Sequence, residues 1–192
     1  MTRCAAAGFF GKIPSHGDFV ARRLPAPFTE PWDAWLRAGL ADSRAHLGDD
    51  WLPIYLNSPI WRFVLGAGVC GPRAWGGVMM PSVDRVGRYF PFTIAAGLDD
   101  GAPPSAAWHA SLEALALPAL GDGFSLPGFD AALLALAPPR AADGFPADDH
   151  GAGGAPCGRA LFWRCDDPSP ALCPDALAAP WFTRMLLTNS FN

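Results

Sequence analysis

Positive charge is scarce in this 192-residue chain, in which Lys12 is the only lysine and the arginines are dispersed. The formal net charge is −4 at pH 7. A nucleic-acid-binding protein needs a clustered basic face that releases counterions from the phosphate backbone. The composition therefore argues against nucleic acid as a partner.

The sequence also lacks a long apolar run. Its most apolar long window, residues 106–120, is interrupted by His109, Glu113 and Pro118, and it is shorter than the ~20 residues of a membrane-spanning helix. The apolar run near the N-terminus is too short and too rich in glycine for a signal peptide. We therefore expect no membrane insertion and a cytoplasmic location.

Cysteine is infrequent, and its five positions are Cys4, Cys70, Cys157, Cys165 and Cys173. An odd number in a chain of this size favours reduced thiols over a disulfide framework. The last three are spaced eight residues apart, whereas the cysteines of structural zinc pairs are usually closer in sequence. We predict no metal site and no cofactor.

Familiar catalytic motifs are missing as well. The stretch GFFGKIPSHGDF contains Gly, Lys and Ser, but not with the spacing G-x-x-x-x-G-K-[ST] of a phosphate-binding loop. The sequence has no G-x-S-x-G, H-E-x-x-H or S-x-x-K motif. His16 and Asp18 could pair as acid and base, but no convincing nucleophile accompanies them. We therefore predict that the chain is not an enzyme and has no catalytic residues.

What the chain does contain is enough apolar sequence for a folded core. Apolar residues make up 51% of it and charged residues 17%, which is typical of a globular protein. Its 21 glycines and 21 prolines fall just short of the roughly 25–30% share that marks low complexity. We predict a single domain over residues 1–192 with long loops, the longest a flexible loop at 138–158.

Helical periodicity is clearest after Thr29, a candidate N-cap, and ends at Gly48. Asp33 and Arg37 lie outside the apolar face of this helix as an i,i+4 pair. Ser105 is a candidate N-cap for a second helix. Among the histidines, we expect His46, His109 and His150 to lie on helix surfaces or in loops.

The remaining patterns complete an α/β arrangement. Residues 12–27 are predicted as a loop, and the sequence around Pro53 as an irregular turn. We predict strands over 4–11, 61–65, 74–82, 90–98 and 159–165, and further helices over 127–139 and 179–192. This order predicts a mixed β-sheet with helices packed on its faces.

The most unusual stretch is PSVDRVGRYFP, residues 81–91, which places three charged residues between two apolar strands. Asp84 could form an internal ion pair with Arg85 or Arg88, and breaking a buried pair costs about 3–5 kcal/mol. Guanidinium groups also match carboxylate and phosphate geometry, so partner docking and ligand binding are alternatives. We expect residues 11–19 and 81–91 to lie side by side, with Asp84 binding one arginine while the other stays exposed.

Several motifs follow one another in a distinctive order: GFFGKIPSHGDFV, WDAWL, SPIWRFVL, WGGVMMPSVDRVGRYFPFT and a late LFWR. Together they resemble the TagF family, also called ImpM, over nearly the whole chain. The resemblance implies a three-layer α/β sandwich and a cytoplasmic accessory protein of a bacterial type VI secretion system. It also implies post-translational repression of assembly through a protein with a forkhead-associated domain.

The characteristic positions of the family carry over residue by residue. They include Gly17, Phe19, Gly87 and Pro91, and the predicted partner-binding or structural residues are Gly11, Lys12, Asp18, Ser58, Pro59, Trp61, Ser82, Asp84, Arg85 and Arg88. The alternative is a small-ligand-binding or hydrolytic α/β domain, with a site formed by Lys12, His16, Asp18, Asp84, Arg85 and Arg88.

Overall fold

The computed structural model describes residues 6–98, 104–139, 157–167, 169, 171–173 and 177–188. Cys4, His150 and most of the loop predicted at 138–158 lie outside these residues. The predictions made for them are therefore not addressed by the structure.

An antiparallel sheet forms the centre of the fold. Its strands are β1 (Gly8–Gly11), β2 (Val20–Arg22), β3 (Trp61–Leu65), β4 (Ala74–Met80), β5 (Phe92–Leu98), β6 (Ala160–Trp163) and β7 (Ala171–Cys173). Their order across the sheet is β2-β1-β5-β4-β3-β6-β7.

The prediction that the strands would be mixed in direction was wrong. Every pairing between the described strands is antiparallel. The connections from β3 to β4 and from β4 to β5 contain no helix, and direct connections of this kind join antiparallel neighbours, whereas parallel strands need a longer crossover.

Helices cover both faces of the sheet, which confirms the predicted three-layer α/β sandwich. One layer contains α1 (Ala26–Leu47), α2 (Trp51–Leu56) and α5 (Ala179–Leu187), and the other contains α3 (Ala106–Ala116) and α4 (Leu126–Ala135). Trp75 and Met79 of β4 pack with the α1 layer, while Val78 and Met80 pack with the α3 layer. Because successive side chains of a strand point to opposite faces, the apolar run of β4 is buried from end to end.

Several element boundaries differ from the sequence predictions. The first helix begins at Ala26, with Pro25 rather than Thr29 as its N-cap; proline is well tolerated in a first turn because its missing N–H would be unpaired there. The same principle explains α2, in which Pro53 lies within the first turn of a helix and not in an irregular turn. The three-residue strands β2 and β7 were not predicted, since they are too short to show alternation.

Other local predictions are confirmed. Ser105 caps α3, its hydroxyl accepting a hydrogen bond from the Trp108 N–H at 3.2 Å. Arg37 Nε lies 2.6 Å from Asp33 Oδ2 on the outer face of α1. The predicted strand over 61–65 coincides with β3.

Candidate functional site

The loops that follow β1 and β4 lie side by side, as predicted. Both strands pair with β5, so the end of β1 and the end of β4 flank the beginning of that strand. The Arg85 N–H donates to the His16 carbonyl at 2.9 Å. Gly11 allows the close approach: its φ is +140°, and a Cβ there would lie 2.2 Å from the Pro91 carbonyl oxygen.

The carboxylate of Asp84 is the centre of this region and is 3% exposed. Its Oδ2 accepts from Lys12 Nζ and from Arg88 Nε, each at 2.7 Å. Its Oδ1 accepts from the backbone N–H groups of Val86 at 3.0 Å and Arg88 at 2.9 Å. We call Lys12, Asp84 and Arg88 the Asp84 cluster. Each carboxylate oxygen has two donors, which fills the capacity of the group.

Burial by itself would raise the pKa of the Asp84 carboxyl. The hydrogen bonds from Lys12, from the backbone and guanidinium of Arg88 and from the backbone of Val86 outweigh burial and hold the pKa well below its usual range. A carboxylate stabilised in its ionised form is a weak proton acceptor. The geometry therefore favours an internal brace over an acid–base group.

The backbone of the turn is fixed from several sides. The Asp84 N–H donates to the Arg88 carbonyl at 3.0 Å, and Gly87 adopts a φ of +86°, a conformation that favours glycine. At the base of the turn, the buried Tyr55 hydroxyl donates to the Ser82 carbonyl and accepts from the Ser82 N–H, both at 3.0 Å. Burial raises the pKa of Tyr55, so this hydroxyl keeps its proton.

The tip of the turn faces solvent. Arg85 is exposed, and Val86 retains 65% of its accessible surface. Arg88 is bound to Asp84 through Nε and reaches the Gly17 carbonyl through Nη2. The expectation that Asp84 would bind one arginine and leave the other exposed is confirmed. Lys12 is a second cation on Asp84 that the sequence analysis did not pair with it.

His16 and Asp18 bond to different neighbours. His16 Nδ1 lies 3.0 Å from the Ser15 hydroxyl, and Asp18 Oδ1 accepts from the Phe19 N–H at 2.8 Å. The Phe19 ring in turn lies under Lys12, whose Nζ is 5.1 Å from the ring centroid. Of the six residues in the alternative ligand or hydrolytic site, Lys12 and Arg88 thus both bind Asp84, and Asp18 accepts from the backbone N–H of Phe19.

Ser58, Pro59 and Trp61 are not members of the Asp84 cluster. Together with Pro81 and Pro91, the two ends of the turn stretch, they line a small apolar depression between β4 and α5. Trp61 is 7% exposed, and Ser58 and Pro59 are half-buried. These three motif residues therefore adjoin the base of the turn without belonging to the Asp84 cluster.

A second buried ion pair was not predicted. Arg62 of β3 binds Glu113 of α3 through two parallel contacts, Nε to Oε1 at 2.7 Å and Nη2 to Oε2 at 3.0 Å. His109 lies one turn before Glu113 and is fully buried, its ring 5.1 Å from that of Trp163. Burial lowers the pKa of His109 to about 4. The expectation that His109 lies on a helix surface or in a loop was wrong; a charge inside the apolar stretch WRFVL was the only signal of this pair.

Two further features bear on function. Among the described residues, no three His, Cys, Asp or Glu side chains are grouped so as to hold a metal ion. None of the helices in the described ranges combines the length and hydropathy needed to cross a bilayer.

Known proteins offer two comparisons. Residues 8–136 match the family model for the TagF N-terminal domain, described as type VI secretion system-associated. The crystal structure of PA0076 from Pseudomonas aeruginosa PAO1 is similar, with a TM-score of 0.80, 37% sequence identity and coverage of 94% of each chain. No curated protein matches the sequence.

Proposed function

Because the chain belongs to the TagF family of type VI secretion system-associated proteins, we propose that it is a cytoplasmic, non-enzymatic regulator of that system. It represses assembly after translation by binding the component that carries a forkhead-associated domain. The binding surface is the tip of the turn after β4, formed by Arg85 and Val86 beside Arg88.

The observation that carries this proposal is an exposed apolar and cationic tip on a fixed base. Val86 is 65% exposed although it follows a fully buried strand, and arginine is enriched among interface hot spots. The Asp84 carboxylate holds the backbone on both sides of Val86. A surface ordered before binding loses less conformational entropy when a partner docks.

The same contacts support a non-enzymatic role. Catalysis would need a base or nucleophile that is free to meet a substrate. Asp84 uses both oxygens internally, and Lys12 is buried against it with a side chain that is 8% exposed.

The test is a titration of the purified forkhead-associated-domain component of the same secretion system with four forms of this chain. These are the wild type, Arg85→Ala, Val86→Asp and the control Arg159→Ala. Arg159 is also an exposed arginine, but it lies away from the turn after β4. Its carbonyl accepts a hydrogen bond from the N–H of Gly66, which follows the end of β3 that pairs with the start of β4. We expect binding by the wild type and the control, and affinity at least about tenfold lower for the two tip variants.

The possible outcomes separate the parts of the proposal. If the wild type does not bind the component, the proposed partner is wrong. If both tip variants bind like the control, the partner docks elsewhere. In the bacterium, deleting the gene should increase type VI secretion, and unchanged secretion would contradict the repressor role.

A further inference from the structure

The outer surface of the layer formed by α3 and α4 is almost free of charge. In the described range 106–138, 18 positions are exposed, and Asp122 is the only charged residue among them. The sequence contains no lysine or arginine between Arg88 and Arg140. We refer to the exposed residues of the range 106–138 as the α3–α4 face. Because the outer side of a helix on a sheet is normally charged and polar, this face is unusual.

Helix α1, on the opposite face of the sheet, shows the usual pattern. Its exposed positions include Glu30, Arg37 and Arg44. The two other carboxylates of the α3–α4 layer, Glu113 and Asp130, are bound by arginines of the sheet. The lack of charge is therefore a property of the α3–α4 face and not of the molecule as a whole.

Leucine side chains are exposed on the α3–α4 face. Leu117 and Leu134 are each 55% exposed, and Leu120 is 41% exposed. Leu117 and Leu120 belong to a 3₁₀-helix that follows α3, and Leu134 belongs to α4. These three are among five large apolar side chains that are exposed in the described chain. Such a concentration on one surface is typical of a protein–protein contact.

The α3–α4 face also contains a groove between its two helices. Leu115 of α3 and Phe129 of α4 line it, with Phe124 of the connecting loop. The other lining residues are mostly small: Ala114, Pro118, Asp122, Gly123, Ser125, Gly128 and Ala132. Small residues shorten the distance at which a further element can pack against a helix. The face therefore combines projecting leucines with a recess.

The chemistry of the face favours a second copy of this chain as the partner. In a two-fold dimer the same patch forms both sides of the interface, so it must supply both projections and a recess, as this face does. Homodimer interfaces are more apolar than other interfaces. A partner with a strongly charged surface would find only Asp122 to pair with.

The size of the face also suits a dimer. A standard interface uses about 20–30 residues on each side. The 18 exposed positions are accompanied by partly buried residues such as Leu115 and Phe124. The face is therefore large enough to form a stable contact by itself.

We propose that the α3–α4 face joins two copies of the chain in a two-fold dimer. Leu117, Leu120 and Leu134 of each copy pack against the α3–α4 face of the other. Arg85 and Val86 belong to the turn after β4 and to neither helix of this layer. Dimerisation is therefore independent of the docking proposed for them.

The first test is sedimentation velocity of the full chain over a series of concentrations. Interfaces of standard size have dissociation constants from the micromolar to the picomolar range, so we expect a dimer at about 100 μM. A folded wild type that is entirely monomeric at this concentration would overturn the proposal. A trimer or a larger assembly would overturn the two-fold arrangement.

Two leucines of matched exposure locate the interface. Leu134→Glu should raise the dissociation constant of the dimer at least about tenfold, because the interface would have to bury an unpaired carboxylate. Leu56→Glu is the control, since Leu56 is 51% exposed but lies on α2 in the opposite layer. It should dimerise like the wild type. Equal dissociation constants for the two variants would contradict the assignment to the α3–α4 face.

Dilution of the wild type provides a readout that needs no substitution. Ala131 of α4 and Ala34 of α1 are both exposed helical alanines. Their methyl resonances can be followed by NMR as the protein is diluted from dimer to monomer. We expect Ala131 to shift and Ala34 to stay fixed. A shift at Ala34 with none at Ala131 would place the interface on the α1 layer and overturn the proposal.

Discussion

Two clusters of buried charge hold this molecule together in different ways. The Asp84 cluster joins two loops at one end of the sheet, and its carboxylate also binds backbone N–H groups. The Arg62–Glu113 pair joins β3 to α3 on one face of the sheet through two hydrogen bonds between the side chains. The first cluster shapes a surface because a turn depends on it, whereas the second fixes a helix to the sheet.

Loss of the Asp84 charge should have the largest effect. Asp84→Asn keeps the shape of the side chain but leaves Lys12 buried without its counter-charge, which should lower the free energy of unfolding by about 3–5 kcal/mol. Chemical denaturation measures the change. Asp18→Asn, at an exposed position of the adjacent loop, should stay within about 0.5 kcal/mol of the wild type. A loss of under about 1 kcal/mol for Asp84→Asn would mean that the cluster is not a brace.

Acidification should distinguish the two regions, because Asp84 and His109, which lies one turn from Glu113, titrate in different pH windows. His109 has a folded pKa of about 4, while an unfolded histidine titrates near pH 6.5. The unfolded chain therefore binds the extra proton first as the pH falls from about 6.5 to about 4, and up to about 3 kcal/mol of stability should be lost. Denaturation curves at stepped pH values measure this loss.

The contribution of Asp84 to the free energy of unfolding should persist as the pH falls from about 6.5 to about 4. Its pKa is depressed in the folded state, so its stabilisation is present above the unfolded value of about 3.9 and is lost only as the pH falls further. His109→Gln should flatten the loss between about pH 6.5 and pH 4 without changing the steeper loss below it. A wild type with constant stability from about pH 6.5 to pH 4.5 would contradict the assignment to His109.

Replacing both members of an ion pair by apolar residues should cost different amounts of stability in the two clusters. Arg62→Met combined with Glu113→Leu should cost about 1 kcal/mol or less, because apolar side chains of similar volume can replace a buried ion pair. Lys12→Met combined with Asp84→Leu should cost more, since the N–H groups of Val86 and Arg88 lose their acceptor. Equal costs for the two double variants, measured by denaturation, would remove the distinction between the clusters.

The smallest effect on stability is expected at the exposed tip. Arg85→Ala should change the free energy of unfolding by no more than about 0.5 kcal/mol, because its side chain is exposed and Asp84 binds Arg88 instead. Thermal and chemical unfolding of the variant measure this. A larger loss would show that Arg85 supports the fold, and its value as a docking probe would then be lost.

The sequence was informative where the polarity of a residue differed from that of its neighbours. Charged residues between two apolar strands identified the turn at 81–91, and the strong apolar patterns predicted β3, β4 and β5. The prediction that residues 11–19 and 81–91 lie side by side was confirmed. The pairing of Lys12 with Asp84 could not be predicted from the sequence, because 72 residues separate them. The strand order of the folded sheet decides which loops become neighbours.

Other features were beyond sequence reasoning for identifiable reasons. Strands β2 and β7 have three residues each, too few for a period of two to be visible. His109 lies on an apolar helix, and only the packing of Trp163 against it shows that it is buried. The depression lined by Ser58, Pro59 and Trp61 requires α5, which follows them by more than a hundred residues and has no local signal in common with them.

The most direct measurement is the NMR titration of the Asp84 side-chain carbon. If Asp84 is an ionised brace, the resonance should remain that of a carboxylate at about pH 4, where an unperturbed aspartate is roughly half protonated. The same carbon in the chain unfolded by denaturant provides the comparison, since an unfolded aspartate titrates near pH 3.9. A carbon of Asp84 that is half protonated at this pH, or protonated above it, would contradict the brace and reopen the region as an acid–base site.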